Sequence, residues 1–190
     1  MKKVTIVLSA LVLSAFAAVS AWKSDKAHSR LGFSITHLGI ADISGSFKNF
    51  DVTVNASKED FSDATFELTA EVGSINTDIE MRDNHLKTAD FFDAEKYPTM
   101  TFKSTSLKSA GKNKFKLTGD LTLHGVTKPV TMDLLYRGTV ENPMSKTPTA
   151  GFQLTGTLKR SDFGIGEKFP APMLSDEVQI KADGEFAKQK

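Results

Sequence analysis

The stretch KFKLTGDLTLHGVTKPVTMDLLY, residues 114–136, decides the fold. In its first half Phe115, Leu117, Gly119, Leu121 and Leu123 alternate with Lys114, Lys116, Thr118, Asp120 and Thr122. Successive side chains of a strand point to opposite faces, so this is one half-buried strand. A turn over His124–Pro129 is expected next, after which alternation resumes at Val130, Met132, Leu134 and Tyr136. Glycine and proline between two period-two runs mark an antiparallel hairpin. Gly119 stands at the centre of the inward face, where a packed core would place bulk. A small residue there predicts room for something other than protein.

The same period extends outward in both directions. Leu31, Phe33, Ile35 and His37 share one face of a first run, with Arg30, Ser34 and Thr36 on the other. From Ile43 to Val54 a second run changes phase between Phe47 and Phe50, as an extra residue near Lys48-Asn49 would require, which is a bulge. Phe66, Leu68, Ala70 and Val72 form the third, and Thr99 to Leu107, containing Phe102 and Ser104, the fourth. Beyond the hairpin, Phe152, Leu154, Gly156 and Leu158 form a seventh run, and Val178, Ile180, Ala182, Gly184 and Phe186 an eighth.

Between the third and fourth runs the period changes. Thr77 followed by Glu80 has the form of a capping box. Helical spacing then places Ile79, Arg82, Asp83 and Leu86 on one side. Tyr97-Pro98 stops any helix. The chain therefore reads as all-β, eight antiparallel strands with one short helical insert between strands three and four. Eight strands close into a barrel whose interior holds about one small ligand. Gly119, Gly156, Gly184, Ala70 and Ser104 near the inward centres favour a hollow interior over a filled one. Glycines that merely relieve bending at barrel corners are the alternative.

Composition narrows the function. Lys2 and Lys3, an apolar run from Val4 to Val19 and the small residues Ser20-Ala21 describe a secretory leader over 1–21, leaving residues 22–190 as one domain. Export to the periplasm follows as an expectation. Losing Lys2 and Lys3 turns the formal charge from +1 to −1, without the basic footprint of a nucleic-acid binder. There is no cysteine for a disulfide, a thiolate metal site or lipid attachment. Outward faces rich in charge, such as Lys181, Asp183 and Glu185, argue against a membrane-spanning barrel, whose outer band is apolar. A homodimer stays open.

If the barrel is hollow, its inner wall supplies the ligand-binding residues. They are Phe33, Ile35 and His37 from the first strand, Phe66 and Leu68 from the third, and Phe102 from the fourth. The hairpin adds Leu117, Gly119, Leu121, Met132 and Leu134, and the seventh strand Phe152, Leu154 and Gly156. At the rim stand Arg82, His85, Phe91 and Phe92 from the insert, with Phe163 after the seventh strand. Charges on a helix face that must pack need partners, and Arg160 and Asp162 are the candidates for Arg82 and Asp83. His37 and His85 could meet across the mouth, and His124 belongs to the hairpin turn. No pair of histidines has the short spacing of a zinc site, so no metal is expected. A nucleophile elbow and a phosphate loop are both lacking, so no catalytic residue and no cofactor are expected.

An ordered set of residues resembles the YceI-like family. It begins with Asp25, His28-Ser29, Phe33, His37 and Gly45-Ser46-Phe47. It continues through Thr77, Arg82-Asp83-Asn84-His85-Leu86, Phe91-Phe92-Asp93, Tyr97-Pro98 and Phe102. It closes with Leu123-His124-Gly125-Val126-Thr127-Lys128-Pro129-Val130 and Arg160-Ser161-Asp162-Phe163-Gly164. The resemblance implies a secreted, lipocalin-like barrel that holds a long amphiphile such as a polyisoprenoid or an isoprenoid quinone, with no established catalytic residue. Three functions follow as expectations: a periplasmic lipid carrier, an enzyme acting on such a lipid, or a stress-related binding module. A strongly perturbed acid or base in the cavity would favour the second. A filled, dry barrel would favour the third.

Overall fold

The computed structural model describes residues 18–190. The expected leader falls largely on residues 1–17, outside the described residues, although Ser20 and Ala21 are already paired as the start of a strand. Two short strands that the alternation did not predict, β1 (Ser20–Ser24) and β6 (Ile75–Asn76), flank the first three predicted ones: the first is β2 (Arg30–His37), the second is interrupted as β3 (Ala41–Phe47) and β4 (Phe50–Ala56), and the third is β5 (Thr65–Glu71). The rest run unbroken: β7 (Thr99–Ser109), β8 (Lys114–Leu123), β9 (Val126–Glu141), β10 (Pro148–Lys159) and β11 (Leu174–Lys188). β1 pairs with β4, β2 with β3, β3 with β6, β4 with β5 and β5 with β7; from β7 to β11 each strand pairs with the next, and β11 returns to pair with both β1 and β2, every pair antiparallel. The result is a closed barrel of eight antiparallel strands.

The phase slip at Lys48-Asn49 is the break between β3 and β4. It faces a second break, the 3-10 turn Val72–Ser74, and the two are stitched together. Lys48 N–H donates to Ser74 O at 3.1 Å, Asn49 N–H to Ser74 Oγ at 3.0 Å, and Glu71 N–H to Asn49 O at 2.9 Å. Phe47 and Phe50 on either side of the break both pack into the core.

The hairpin differs from its expected form in one respect. Its turn is only His124-Gly125, both at positive φ (51° and 74°), which is the geometry of a tight I′ turn. Val126 already pairs with Leu123, so Thr127, Lys128 and Pro129 belong to the strand. β9 pairs with β8 from Val126 but with β10 only from Asp133, leaving Pro129 beside an open edge. Such an edge tolerates a residue without an N–H. Side chains rather than backbone bridge that opening: Lys128 Nζ reaches Asp162 at 2.9 Å, and His124 Nδ1 bonds Phe163 O at 2.9 Å.

Apolar faces turn into the barrel, and charged pairs such as Lys103–Glu67 and Lys116–Asp133 lie outside across neighbouring strands. This is the reverse of a membrane barrel. No helix among the described residues is long and apolar enough to cross a membrane. The end of the barrel at the β4–β5 loop is sealed by aromatic rings. Phe61 from that loop lies 5.2 Å from Trp22, 5.0 Å from Tyr136 and 5.1 Å from Phe152, centre to centre. Asp63 holds the loop shut by accepting from the N–H groups of Ser57 and Lys58.

The helical insert sits where expected, between strands three and four, as α1 (Glu80–Leu86). Its start is not a capping box. Ile79 is the N-cap residue and makes no side-chain cap bond. Thr77 is drawn elsewhere: its N–H donates to Asp83 Oδ1 at 2.8 Å, and its hydroxyl to the same oxygen.

Candidate ligand cavity

At the end opposite the aromatic seal, the barrel encloses a cavity of about 390 Å³. Its floor and sides are apolar: Phe33, Ile35 and Ile43 from β2 and β3, Phe47, Leu158, Val178 and Ile180 from the barrel wall. α1 and the chain after it close one side with Leu86, Phe91 and Phe92. The segment between β10 and β11 closes another with Phe163, Ile165, Phe169 and Leu174. The wall is exposed at Lys159 and Met173, and there the cavity meets solvent. A second cavity of about 140 Å³ lies deeper, lined by Phe66, Leu68, Phe102, Leu117, Leu121, Met132, Leu134, Phe152 and Leu154. Leu158 and Ile180 border both chambers, which therefore lie side by side in the barrel.

The segment over the mouth is pinned by Arg160. This buried guanidinium spends all of its N–H donors on backbone carbonyls: Ser175, Ile165, Gly166, Phe169 and Leu174. Five donors meet five acceptors, which satisfies the charge without any carboxylate. The expected ion pairing of Arg82 and Asp83 with Arg160 and Asp162 is therefore absent. Asp162 pairs with Lys128 instead, and Asp83 accepts from Thr77. Arg82 Nε donates to Thr77 Oγ1 and Nη2 to Thr77 O, both at 2.7 Å. The clasp is real, but it is tied within the insert, through Thr77.

His37 and His85 both line the mouth. His85 Nε2 sits 3.3 Å from Asp90 Oδ2 and meets Phe91 and Phe169 edge-on, while those two rings stack at 4.9 Å. Hydrogen bonding from Lys168 and then from His85 holds the Asp90 carboxyl below its usual range. His124 stands apart from the cavity, in the turn, edge-on to Tyr97.

A profile of the YceI-like domain matches residues 22–186. A UPF0312 protein of Staphylococcus aureus is 39% identical over 167 residues, covering 86% of this chain and 95% of that one. The chain belongs to the YceI family. The crystal structure of the Campylobacter jejuni YceI protein is similar at a TM-score of 0.74 and 34% identity, over 87% of this chain and 96% of that one. A polyisoprenoid binding domain from Saccharophagus degradans shares the fold at a TM-score of 0.68 with 15% identity, over 90% of this chain and all of that one.

In this YceI chain, the residues singled out from sequence divide between the two chambers. Phe33, Ile35, His37, Arg82, His85, Phe91, Phe92 and Phe163 line the outer one. Phe66, Leu68, Phe102, Leu117, Leu121, Met132, Leu134, Phe152 and Leu154 line the inner one. Gly119 and Gly156 line neither, which corrects the reading of both as room for a ligand. The Phe102 ring already lies where a Cβ on Gly119 would sit, and Met132 Sδ does the same over Gly156. Residues passed over include Ile43, Leu158, Val178 and Ile180; Leu158 shares inward parity with Leu154 and Gly156, which were chosen, whereas no residue of β3 or β11 was. Phe169 carried no periodic signal in its Gly/Pro-rich segment.

The sequence also gave no sign of one polar trio. Asp25, His28 and Glu185 bring their ligand atoms within 4.8 Å of one another beside the β1–β2 break. His28 Nδ1 is 2.9 Å from Asp25 and 3.9 Å from Glu185. Hydrogen bonding to Asp25 raises the imidazole's pKa, and that same bond lowers Asp25's. All of these groups are solvated, and the imidazole is already spent on a carboxylate, so the trio is a surface clasp closing the strand break.

Proposed function

We propose that this protein is an exported carrier or reservoir for an amphiphile with a long apolar tail, of the polyisoprenoid or isoprenoid quinone type. The carrying observation is the two-chambered interior, its walls mostly apolar, with polar side chains at the mouth and Ser29, Arg30, Glu67 and Asp183 at the border of the inner chamber. Pockets that bury most of a small ligand behind a few placed polar groups have this composition. Each methylene buried against these walls would be stabilised by about 0.8 kcal/mol. The polar groups at the mouth are tied to neighbours (Arg160 to carbonyls, Arg82 to Thr77, His85 to Asp90) rather than poised against a nucleophile or water. That supports binding without turnover. The name of the Saccharophagus degradans neighbour agrees with such a tail. Export rests on the leader-like residues 1–21.

Mass spectrometry of organic extracts from natively purified protein tests the reading. A stoichiometric isoprenoid or comparable long-chain lipid is expected. Protein free of any lipid, and unable to take one up from vesicles, would sink it.

A further inference from the structure

We infer that the inner chamber is a binding site in its own right, with its own opening through the side of the barrel. It takes a compact, uncharged apolar molecule about the size of one aromatic ring. The inference goes beyond the carrier reading and does not rest on it. The opening follows from how the wall is hydrogen-bonded. β1 pairs with β4 as far as Lys23 and Thr53, and β2 pairs with β3 starting from Leu31 and Phe47. Between those pairings the loop Asp25–Ser29 lies opposite the break between β3 and β4. It makes no backbone hydrogen bond to either strand among the described residues. The loop hangs from β11 instead: Asp25 N–H donates to Glu185 O at 2.8 Å, and His28 is held by Asp25 and Glu185. Beyond Ser24 Oγ, which accepts from Val52 N–H at 3.0 Å, one side chain crosses the gap: Lys26 Nζ lies 3.4 Å from Asp51. Their side chains are 72% and 75% exposed, so this pair is a weak strap.

The inner chamber reaches this gap. Leu31, Phe50 and Val52 border it from the two sides of the break and are half-buried. Arg30, Glu67 and Asp183 belong to the outward faces of their strands, yet they border the chamber too. Outward-facing residues at the border of an interior space mark where that space comes through the wall.

Size and lining set the class of ligand. The chamber holds about 140 Å³, and Leu68, Phe102, Leu117, Leu121, Met132 and Phe152 form most of its wall. An apolar cavity of about 150 Å³ walled by leucine, isoleucine and phenylalanine stays dry and takes up benzene or xenon. The carboxylates at the edge are already matched, Glu67 with Lys103 and Asp183 with Arg137 and Gln153. Arg30 is exposed and keeps its charge in water. Nothing in the wall would offset the desolvation of an ion, so the site favours a ring without charge.

The test uses delipidated full-length mature protein with carbon-13 in its methionine methyl groups, and toluene as the probe. Met132 borders the inner chamber and Met173 the outer one. A saturable shift of the Met132 methyl signal, with Met173 unmoved, is expected. A shift of Met173 without Met132, or of neither, would overturn the inference and leave the carrier reading, which bound lipid tests, standing. The opening is tested with a bulky maleimide, because the chain has no cysteine of its own. The label on Ser29→Cys should slow toluene exchange at Met132 at least about tenfold, the effect of a barrier higher by about 1.4 kcal/mol. On Ile40→Cys, in the turn that follows His37 beside the mouth, the same label should leave that exchange unchanged. Slowing by the Ile40 label instead, or by neither, would overturn the side opening. If labelled Ser29→Cys fails to fold, the Met132 shift in the wild type still decides whether the chamber binds.

Discussion

Single residues set where the interior is full. A Cβ on Gly119 would lie 2.5 Å from the backbone oxygen of Lys103 and 2.4 Å from the Phe102 ring. The ring could turn, but the carbonyl belongs to a paired strand and cannot yield cheaply. Over Gly156 the obstacle is Met132 Sδ at 2.0 Å, the flexible end of a side chain that adapts to its surroundings. Gly119→Ala should therefore cost about 1–3 kcal/mol, as overpacking does, and Gly156→Ala less than about 1 kcal/mol. Urea denaturation of the two variants measures this. Equal losses would show that the Lys103 carbonyl is not the constraint.

At the scale of elements, the segment between β10 and β11 depends on one side chain. Phe163, 1% exposed, and Ile165, 5% exposed, anchor it from below, but its carbonyls turn inward to Arg160. Arg160→Met keeps much of the length and removes every donor. Buried carbonyls left without partners cost about 1–3 kcal/mol each before relaxation. The expected outcome is a loss of at least about 3 kcal/mol, with new tryptic cleavage after Lys168 as the segment loosens. A variant that melts like the wild type and resists trypsin at Lys168 would show that the anchors suffice alone. α1 makes the same point in smaller form. Seven residues are too few to hold a helix by themselves, and the Thr77–Asp83–Arg82 ties supply what its length cannot.

For the whole molecule, the question is how a barrel stays hollow at one end and stable at the other. The two core clusters divide the answer. One gathers the rings that seal the lower end, the other packs around the outer chamber. Phe61, 2% exposed, is the keystone of the seal, touching rings from β1, β9 and β10. Phe61→Ala should cost about 3–5 kcal/mol, because the sealed end cannot collapse into the space. Chemical denaturation followed by Trp22 fluorescence reports it, since that indole packs on Phe61. A loss below 1 kcal/mol would mean that the seal is redundant.

Much of this was legible in the residues alone. The eight strands, the break at Lys48-Asn49 and the place of the insert follow from period-two alternation and its lapses. That pattern is local, because neighbouring side chains of a strand must point to opposite faces whatever surrounds them. The ordered set from Asp25 to Gly164 pointed to the family for the same reason: it lies along the chain. What lies across the barrel could not be read this way. Phe66 meets Phe152 at 5.5 Å, although β5 and β10 are not neighbours in the sheet. Strand register decided that Phe102 and Met132 fill the hollows left by Gly119 and Gly156 on the neighbouring strands, and the path of a loop without periodicity decided that Phe61 seals one end. Loop path also decided that Arg160 serves carbonyls rather than Asp83. Alternation says which way a side chain points, while the partner it meets depends on strand order, shear and loop path, which appear only once the sheet has closed on itself.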